Sequence, residues 1–441
     1  MPKKKTALTI EERLQQALVP AEEQPYEVPE NWVWVRLLST FINKTDSKKK
    51  IQQKSYLNTG DYAVVDQGQN LIGGYTDDAS LQYDGELPVV VFGDHTRCVK
   101  YIDFKFVQGA DGVKILLPVK SYDSKFFYYA IMNLNIPNMG YRRHFPLFDK
   151  LSLPLPPLSE QQRIVERIEK LFAKLDEAKE RLQEVADSFA VRKAAILHKA
   201  FTGELTKQWR RENGVSDESW EESNLGSFIA CGPQNGLYKP KSSYGDGIRI
   251  IRIDAFYDGV IEQWDELKRL RLDENEIECY SLNLNDILIN RVNSMQYLGK
   301  SALVRELKDI CVFESNIMRL SVDESRIYPE FLISFLNSQM GLNELRKNAK
   351  QAVNQASINQ QDIKNVIINL PDLSEQHEIV RLIDDLLARE RSAQQAAEQA
   401  LASIDLMKKS ILARAFRGEL GTNKASEASA LELLRQVLAE N

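Results

Sequence analysis

The stretch LSEQQRIV at residues 158–165 returns as LSEQHEIV at residues 373–380. The similarity extends without a gap over residues 155–205 and 370–420, where 21 of 51 aligned pairs are identical. A repeat of this length is an internal duplication, and it predicts that the chain consists of two related halves.

Each copy carries the end signals of one long helix. Ser159 and Ser374 are the predicted N-caps, and Gln162 is predicted to complete a capping box with Ser159. At the other ends, Gly203 and Gly418 favour left-handed C-caps. The sequence therefore predicts two helices of about 42 residues, each roughly 60 Å long.

Apolar residues between these signals follow a heptad spacing, which is typical of a coiled coil. The predicted seam contains Ile164, Ile168, Leu171, Leu175, Leu182, Val185 and Phe189 in the first copy, and Ile379, Ile383, Leu386, Ile404 and Ile411 in the second. Two such helices in one chain favour an antiparallel pair over two separate dimer zippers. A structural stalk is the simpler interpretation, but it leaves unexplained why a long non-helical sequence precedes each copy.

Composition restricts the class of protein. A chain of 441 residues, 43% of them hydrophobic and 27% charged, is typical of a soluble protein of several globular domains. Neither a signal peptide nor a membrane span is evident, so we expect a cytoplasmic protein. The four cysteines have no CxxC spacing, which favours reduced thiols over a zinc site. The net charge of −6 argues against a protein held on nucleic acid by bulk charge alone.

The sequence before each long helix predicts a mixed α+β domain. Short β-rich stretches are predicted at Tyr62–Val65, Pro88–Phe92 and Cys98–Phe106 in the first domain, and at Ile248–Ile253, Ile287–Ile289 and Ala302–Val304 in the second. Helical sequence near Phe126–Asn133 and Pro329–Asn337 closes the two domains. We expect two domains of similar fold with different surface residues.

The predicted organisation follows from these features. It comprises an N-terminal helical segment (1–28), a first domain (29–155), a first spacer helix and linker (156–219), a second domain (220–370), a second spacer helix (371–422) and a C-terminal helical segment (423–441).

Motifs for catalysis are missing from the sequence. There is no GxxxxGK[ST] phosphate loop, no HExxH, and neither Asn-Pro-Pro-Tyr nor Asp-Pro-Pro-Tyr. The stretch FGDHTR at 92–97 places an aspartate beside a histidine, but no nucleophile or metal cluster accompanies it, so a local hydrogen bond of the histidine is favoured. GQNLIGGY at 68–75 lacks GxGxxG spacing and favours a turn. We therefore expect a chain without catalytic residues or bound metal.

Side chains suited to DNA cluster in several loops. Gln and Asn pair with adenine, Arg binds phosphate or guanine, and aromatic rings stack on bases. The candidates are Gln67, Gln69, Asn70, His95, Arg97, Tyr141, Arg142 and Arg143 in the first domain, and Gln234, Asn235, Tyr238, Lys239, Arg291, Asn293, Gln296, Arg346, Asn354 and Gln355 in the second. Each patch alone is typical of a polar surface loop, but several patches on two related domains favour DNA.

The repeated motifs resemble those of one known family, the DNA-specificity subunits of type I restriction-modification systems. PLPPLSEQQRIVERIEKLFAKLD and LPDLSEQHEIVRLIDDLL are similar to its two helical regions, and AFTGEL and AFRGEL to the ends of those helices. VDQGQ, VFGDHTR and NDILINR are similar to stretches of its target-recognition domains. The resemblance implies two target-recognition domains of mixed fold separated by two long antiparallel coiled-coil spacer helices. It also implies a circular pseudo-twofold arrangement, in which residues 9–19 meet residues 430–441.

The resemblance implies a non-catalytic function as well. Each recognition domain would read one half of a bipartite, asymmetric site in double-stranded DNA, and the helices would fix the gap. Two modification subunits, which use S-adenosylmethionine to methylate adenine N6, would pack on the chain, and restriction subunits that use ATP and Mg²⁺ would join them. This chain itself would hold no cofactor.

Two other classes of function compete with this interpretation. One is a coiled-coil scaffold that presents two protein- or glycan-binding domains, which the acidic balance favours. The other is an enzyme with an unrecognised site, such as a nuclease. Discrimination between base pairs distinguishes the first from DNA recognition, and metal-dependent cleavage by the isolated chain would support the second.

Overall fold

The structure is a computed structural model that describes residues 8–262, 264–353 and 355–440. Through the first repeat and its linker, the elements are α1 (Ile10–Ala17), β1 (Val33–Arg36), β2 (Phe41–Asn43), β3 (Tyr62–Val65), β4 (Gly74–Thr76), β5 (Val89–Gly93), β6 (Val99–Ile102), β7 (Val107–Gln108), β8 (Val113–Pro118), α2 (Ser124–Asn133), β9 (Ser152–Leu155), α3 (Leu158–Asp187), α4 (Phe189–Phe201) and α5 (Lys207–Asn213). They continue with β10 (Glu221–Asn224), β11 (Ile229–Asn235), β12 (Tyr244–Ile251), β13 (Phe256–Tyr257), β14 (Val260–Ile261), β15 (Arg269–Leu270), α6 (Glu274–Tyr280), β16 (Ile287–Asn290), β17 (Val292–Asn293), β18 (Ser301–Leu303), β19 (Cys311–Phe313), β20 (Ile317–Val322), α7 (Pro329–Leu336), α8 (Gln339–Arg346), β21 (Lys350–Ala352), β22 (Gln355–Ser357), α9 (Gln360–Lys364), β23 (Ile367–Leu370), α10 (Leu373–Ala415) and α11 (Ala430–Glu440).

The chain forms two compact units. Unit 1 comprises the described part of Met1–Leu182 and Gln399–Asn441, and unit 2 is Gln183–Glu398. Both points of division fall inside the repeated helices, α3 and α10. Each unit therefore contains one mixed domain together with a segment from each copy of the repeat.

The sheets of the two units have the same strand order. A four-stranded antiparallel sheet is ordered β2-β8-β5-β6 in unit 1 and β11-β20-β16-β18 in unit 2. A three-stranded sheet with one antiparallel and one parallel pairing is ordered β4-β3-β7 in unit 1 and β15-β12-β19 in unit 2. The prediction of two domains with similar mixed folds is confirmed.

One inner strand of each four-stranded sheet, β5 in unit 1 and β16 in unit 2, is buried along its whole length. We call it the central strand of its unit. In β5, Val90 and Phe92 pack with Phe126 and Phe127 of α2, while the alternate residues of the strand pack in a separate cluster on the other face. Because successive side chains of a strand point to opposite faces, both faces of this sheet are covered by apolar residues. The loop that follows each central strand is therefore held by a rigid, buried element.

The repeated helices pack antiparallel in each unit. In unit 1, Ile168 near the start of α3 shares a core with Leu412 near the end of α10, and Asp176 pairs with Lys408 at 2.5 Å. In unit 2, a core near the end of α4 and the start of α10 contains Leu197, Phe201, Ile379 and Ile383. The predicted antiparallel pairing is confirmed within each unit.

Most predicted seam residues are at least half-buried. Ile164, Ile168, Ile379, Ile383 and Ile404 are buried, and Leu171, Leu175, Leu182, Phe189, Leu386 and Ile411 are half-buried.

Two details of the first predicted helix are wrong. Val185 is 40% exposed, so it does not lie in the seam. The first helix is also not continuous, since α3 ends at Asp187 and α4 begins at Phe189. The Ser188 hydroxyl, which donates to the Val185 carbonyl at 3.0 Å, gives the backbone a local alternative to the helical pattern.

The predicted N-caps are two residues too late. The repeated helices begin at Leu158 and Leu373, so Ser159 and Ser374 lie inside the first turn and the capping box of Ser159 with Gln162 is wrong. In α10 the cap is Asp372, which accepts hydrogen bonds from the Glu375 N–H at 2.9 Å and the Ser374 hydroxyl at 2.6 Å.

The predicted C-terminal signals are correct. Gly203 has φ of 73° and Gly418 has φ of 75°. This left-handed conformation is the one that glycine provides at helix ends.

The terminal segments meet in unit 1, as predicted. Leu14 of α1 and Leu434 of α11 are buried in the same core, and Arg435 pairs with Glu11 at 3.3 Å. The first and last helices of the described chain are thus joined by an apolar contact within unit 1.

Candidate nucleic-acid interface

A glutamine in each copy of the repeat anchors a domain to its helix. The Gln161 side chain accepts a hydrogen bond at 2.7 Å from the N–H of Asp123, the N-cap of α2, and donates at 2.9 Å to the carbonyl two residues earlier. Gln376 accepts at 2.7 Å from the N–H of Tyr328, the N-cap of α7, and donates at 3.2 Å to the carbonyl two residues earlier. The two copies therefore make the same contact in both units.

The glutamate before each glutamine holds the segment that follows the other helix of its unit. Glu160 accepts from the Asn423 side chain at 2.9 Å, beyond α10. Glu375 accepts from Thr206 at 2.5 Å and Arg210 at 2.6 Å, beyond α4. Both glutamates are fully buried, which is rare without such partners. Sequence reasoning missed these roles, although identity of the pair in both copies was an available signal.

In unit 1, the loop at residues 139–145 is held by hydrogen bonds to Asp94, the residue that follows β5. The backbone N–H of buried His144 donates to the Asp94 carbonyl at 2.8 Å. The imidazole Nε2 accepts from Met139 N–H at 3.2 Å, so Nδ1 carries the proton and donates to the same Asp94 carbonyl at 2.8 Å. The Asp94 carboxylate accepts from Phe145 N–H at 2.6 Å. The loop is thus held from inside while its middle residues point outward.

This loop presents a stacked ring and two cations. Tyr141 is 85% exposed and lies parallel to the His95 ring, with 4.8 Å between ring centroids and 13° between planes. The His95 Nδ1 lies 3.2 Å from the Tyr141 carbonyl, which agrees with the expectation of a local hydrogen bond. Arg142 and Arg143 are exposed beside this stack. A ring flanked by guanidinium groups suits a base together with a phosphate.

Gln67 connects the neighbouring loops. Its amide donates to the Asp111 carbonyl at 3.0 Å and accepts from His95 N–H at 3.2 Å. Gly112 has no room for a side chain, because an added Cβ would lie 2.7 Å from both the Gln67 Oε1 and the His95 ring. Gln67 is therefore placed at the centre of the candidate surface, with its amide already engaged.

The remaining candidates of unit 1 differ in whether their side chains are bound to other residues of the protein. Gln69 and Asn70 are exposed at the tip of the same loop. Arg97, with φ of 62°, donates to the Ile136 carbonyl at 3.0 Å and so supports the adjoining segment.

An ion pair modifies the charge of this surface. Lys50 lies 2.7 Å from Asp111, and its hydrogen bond and charge are the main cause of a lowered pKa of that carboxyl.

Unit 2 holds a different loop by the same kind of backbone hydrogen bond. Ile358 N–H donates to the carbonyl of Arg291, the residue after β16, at 2.9 Å, just as His144 N–H does to Asp94 after β5. The hairpin β21–β22 precedes Ile358, and β22 pairs with β17. Both units therefore hold a loop over the end of the equivalent inner strand, and the two loops differ in sequence.

The unit 2 loop carries a different set of exposed groups. Gln355 and Gln296 are exposed, and Asn354 lies outside the described residues. Arg346 donates to the Leu298 carbonyl at 2.8 Å, and burial lowers the pKa of this side chain. Asn293 accepts from the N–H of the next residue at 2.8 Å. The side-chain amides of Gln355 and Gln296 are therefore more accessible to a base than the guanidinium group of Arg346.

We call the end of β5 or β16, together with the loop that is held over it, the platform of its unit. The segment at 232–241 lies beside the platform of unit 2. The Ser315 N–H donates to the Leu237 carbonyl at 2.9 Å, and Arg291 donates to the Ser315 carbonyl at 3.0 Å. Tyr238 is 80% exposed, and Asn235 is exposed as well.

Two side chains of the same segment are engaged in local contacts. Gln234 accepts from Arg319 and donates to the Cys279 carbonyl at 3.2 Å. Lys239 pairs with Glu276 at 2.5 Å. For every candidate of either unit, contact with a base or phosphate stays a prediction.

The described ranges offer neither a metal site nor a membrane span. They contain no group of three or more His, Cys, Asp or Glu side chains arranged to hold a metal ion. None of the described helices has the length and apolar character needed to cross a membrane.

Comparison with known proteins identifies the family. The model of the type I restriction modification DNA specificity domain matches residues 29–187 and again residues 217–400. The chain belongs to this specificity family. Each match contains one complete platform and the start of the repeated helix that follows it.

Relatives in the specificity family match most of the chain. The specificity subunit of the type I restriction enzyme StySPI from Salmonella potsdam is 34% identical over 66% of this chain and 64% of the relative. That of EcoBI from Escherichia coli is 31% identical over 74% of each. The chain thus spans slightly under two thirds of the first of these relatives.

Solved structures share the fold. A chain described under complex assembly and conformational transition of the type I R-M system has a TM-score of 0.62 and 18% identity, covering 90% of this chain and 100% of that one. The HsdS subunit from Thermoanaerobacter tengcongensis has a TM-score of 0.58 and 17% identity, covering 91% and 100%. At these identities the likeness concerns the fold.

Proposed function

We propose that this chain is the non-catalytic DNA-specificity subunit of a type I restriction-modification complex. Each domain reads one half of a bipartite, asymmetric site in double-stranded DNA. The observation that carries the proposal is the pair of equivalent platforms, in which Asp94 and Arg291 hold loops of different sequence through the same backbone bond. A shared scaffold with different exposed loops suits the reading of two different half-sites.

The long helices suit the task of fixing the gap between the half-sites. The helix α10 has 43 residues, which corresponds to a length of about 65 Å. This length is close to two turns of duplex DNA, since one turn rises about 34 Å.

The chemistry of modification and cleavage belongs to partner subunits in this proposal. Two modification subunits supply S-adenosylmethionine and methylate adenine N6, and restriction subunits supply ATP and Mg²⁺. This chain contributes recognition and holds no cofactor. The complex acts on DNA in the cytoplasm, and the partners offset the acidic net charge of −6 around the DNA.

The test is a selection from a random DNA library by the chain assembled with its modification subunits. Enriched DNA should share two short sequences separated by a constant gap. Binding without any enriched sequence, under confirmed assembly, would favour a scaffold whose domains bind other molecules. Metal-dependent cleavage by the isolated chain would instead favour a nuclease.

A further inference from the structure

The most exposed large hydrophobic side chains of the described chain lie at or beside its two platforms. Among the described residues, the three with the highest exposed fractions are Val353 at 91%, Tyr141 at 85% and Tyr238 at 80%. Val353 and Tyr141 belong to the loops held over β16 and β5, and Tyr238 lies in the segment beside the platform of unit 2. Single exposed apolar residues are ordinary on a protein surface, but their concentration at these places indicates a contact surface.

Two backbone hydrogen bonds provide a common reference point in the two units. The N–H of Asp94, the residue after β5, donates to the Gly112 carbonyl at 2.6 Å. The N–H of Arg291, the residue after β16, donates to the Asn316 carbonyl at 2.8 Å. Gly112 and Asn316 therefore correspond, and so do the residues immediately before them.

In unit 1, the residue before Gly112 is linked to a tyrosine through two side chains. The Asp111 carbonyl accepts from the Gln67 amide at 3.0 Å, and that amide accepts from the His95 N–H at 3.2 Å. The His95 ring stacks on Tyr141, with 4.8 Å between ring centroids and 13° between planes. One face of the tyrosine ring is therefore backed by the imidazole, and the other face is open for stacking.

In unit 2, the residue before Asn316 is linked to the other tyrosine through the backbone. The Ser315 N–H donates at 2.9 Å to the carbonyl of Leu237, which is itself buried. On the other side of Tyr238, Lys239 pairs with Glu276 at 2.5 Å. Tyr238 is thus anchored on both sides while its ring extends into solvent. Different segments of the two domains therefore hold one exposed ring each, near the end of the central strand.

An aromatic ring can do what the amides and guanidinium groups of the platforms cannot, which is to replace a base in a stack. In an intact duplex every base already lies between two neighbours, so a ring from the protein finds room only where a base has left the stack. Methylation of adenine N6 creates such a place, because the target nucleotide must be extruded at the cost of its stacking and pairing. The proposed function includes two modification subunits, and the chain has two such rings.

We propose that Tyr141 and Tyr238 each enter the DNA stack at the position that a target adenine leaves, one in each half-site. The inference rests on the proposed function and gives this chain a second task beside the reading of sequence. Each ring stacks on the bases that flank the gap, and this contact offsets part of the cost of extrusion. The specificity subunit therefore favours the extruded state of the adenine that its partner methylates.

Fluorescence of 2-aminopurine tests the proposal in the complex of the full chain with its modification subunits. The analogue replaces the methylated adenine of one half-site at a time, and its fluorescence rises when it leaves the stack. We expect the parent complex, at saturating concentration, to produce this rise in both half-sites. Tyr141→Ala should reduce the rise about tenfold in one half-site only, and Tyr238→Ala in the other half-site only. Tyr141→Phe and Tyr238→Phe keep the ring and are the matched controls, with a rise within about twofold of the parent.

A pyrene nucleotide opposite the target position provides the second arm. Pyrene fills the stack by itself, so it should restore the rise of each Ala variant to within about twofold of the parent. The proposal would be overturned by a rise that the Ala substitutions leave unchanged, by a loss in both half-sites from one substitution, or by an equal loss from Phe. Failure of pyrene to restore the rise, or no rise with a parent complex that methylates the site, would overturn it as well. Failure of the parent complex to bind the selected site would overturn the proposed function and this inference with it.

Discussion

At the scale of single residues, buried amides carry much of the architecture. Gln161 and Gln376 each join the N-cap of a domain helix to the start of a repeated helix. Each amide satisfies backbone groups that would otherwise be buried without partners, which costs about 1–3 kcal/mol per group. The sequence repeat is conserved within the chain at these positions because both units need the same contact.

Removal of one glutamine should therefore destabilise its unit. We expect Gln376→Ala to lower the free energy of unfolding by about 1–3 kcal/mol, measured by urea denaturation. The matched control is Gln162→Ala, at an exposed position in the other repeat, with a change within about 0.5 kcal/mol. Equal effects of the two substitutions would show that the buried contact contributes little.

The exposed arginines of unit 1 should act on all DNA sequences alike. We expect Arg142→Ala combined with Arg143→Ala to weaken binding of the assembled complex to every sequence and to reduce the salt-dependence slope by about two. Filter binding over a range of salt concentrations measures both quantities. Loss confined to one sequence would instead assign these arginines to base contacts.

Gln355 should affect one half-site only. Its amide is exposed on the unit 2 platform, and a bidentate contact with a base contributes about 1–3 kcal/mol of discrimination. We expect Gln355→Ala to relax preference at one base pair of one half-site, measured by competition with single-base variants of the selected site. A uniform loss on all variants would place Gln355 on the phosphate backbone.

The sequence predicted which types of side chain could bind DNA, but not which of them are free of hydrogen bonds within the protein. Gln67 and Gln69 are two positions apart in one loop, yet the amide of Gln67 is engaged and Gln69 is exposed. The difference arises from Asp111 and His95, which are distant in sequence and meet Gln67 only in the folded domain. No local pattern contains that information.

At the scale of elements, local signals were more informative. The heptad spacing predicted two long helical segments, and the glycines at 203 and 418 predicted their C-terminal ends, because caps depend on a few neighbouring residues. The interruption at Ser188 was not predictable from the heptad, which continues through it. The N-cap was misplaced because Ser374 and Asp372 are both good caps, and the backbone of α10 selects Asp372.

The Asp372 cap leads to a test with a defined pH dependence. The hydrogen bond from Ser374 holds the pKa of Asp372 below its usual value. Because this pKa is lowered in the folded chain, the carboxylate stabilises the fold above the pKa of the unfolded chain, and that stability is lost as pH falls below about 4.

We expect Asp372→Ala to cost about 1 kcal/mol at neutral pH. The cost should shrink below about pH 4, when stability is measured by urea denaturation at each pH. Asp372→Asn should retain most of the cap without the pH dependence. A cost of Asp372→Ala that grows in acid would contradict the assignment.

At the scale of the whole molecule, the terminal helices complete unit 1. Leu434 of α11 is buried in the core that contains Leu14 of α1. We expect Leu434→Ala to destabilise unit 1 by about 2–5 kcal/mol, measured by thermal or urea unfolding. Gln436→Ala, at an exposed position of the same helix, is the control. Unchanged unfolding of the Leu434 variant would show that the two ends of the chain are not part of one core.

The sequence showed directly that the long helices are duplicated. For the domains it indicated only a similar fold, and not which residues are equivalent. The repeat has 21 identities in 51 pairs, whereas the equivalence of Asp94 and Arg291 rests on backbone bonds and strand order. Backbone bonds tolerate any side chain, so the loops diverged while their mounting stayed the same. For the same reason, the sequences of the half-sites do not follow from the chain.

In the proposed function, one chain reads two half-sites through two equivalent platforms. We would test this first by expressing the chain with its modification subunits and mapping N6-methyladenine across the host genome by single-molecule sequencing. A second strain carries the chain with residues 350–357 exchanged for another loop sequence. We expect a bipartite motif with a constant gap in the first strain. In the second strain we expect a change confined to one half of that motif, with the same gap. A single continuous motif, or a change in both halves, would contradict it.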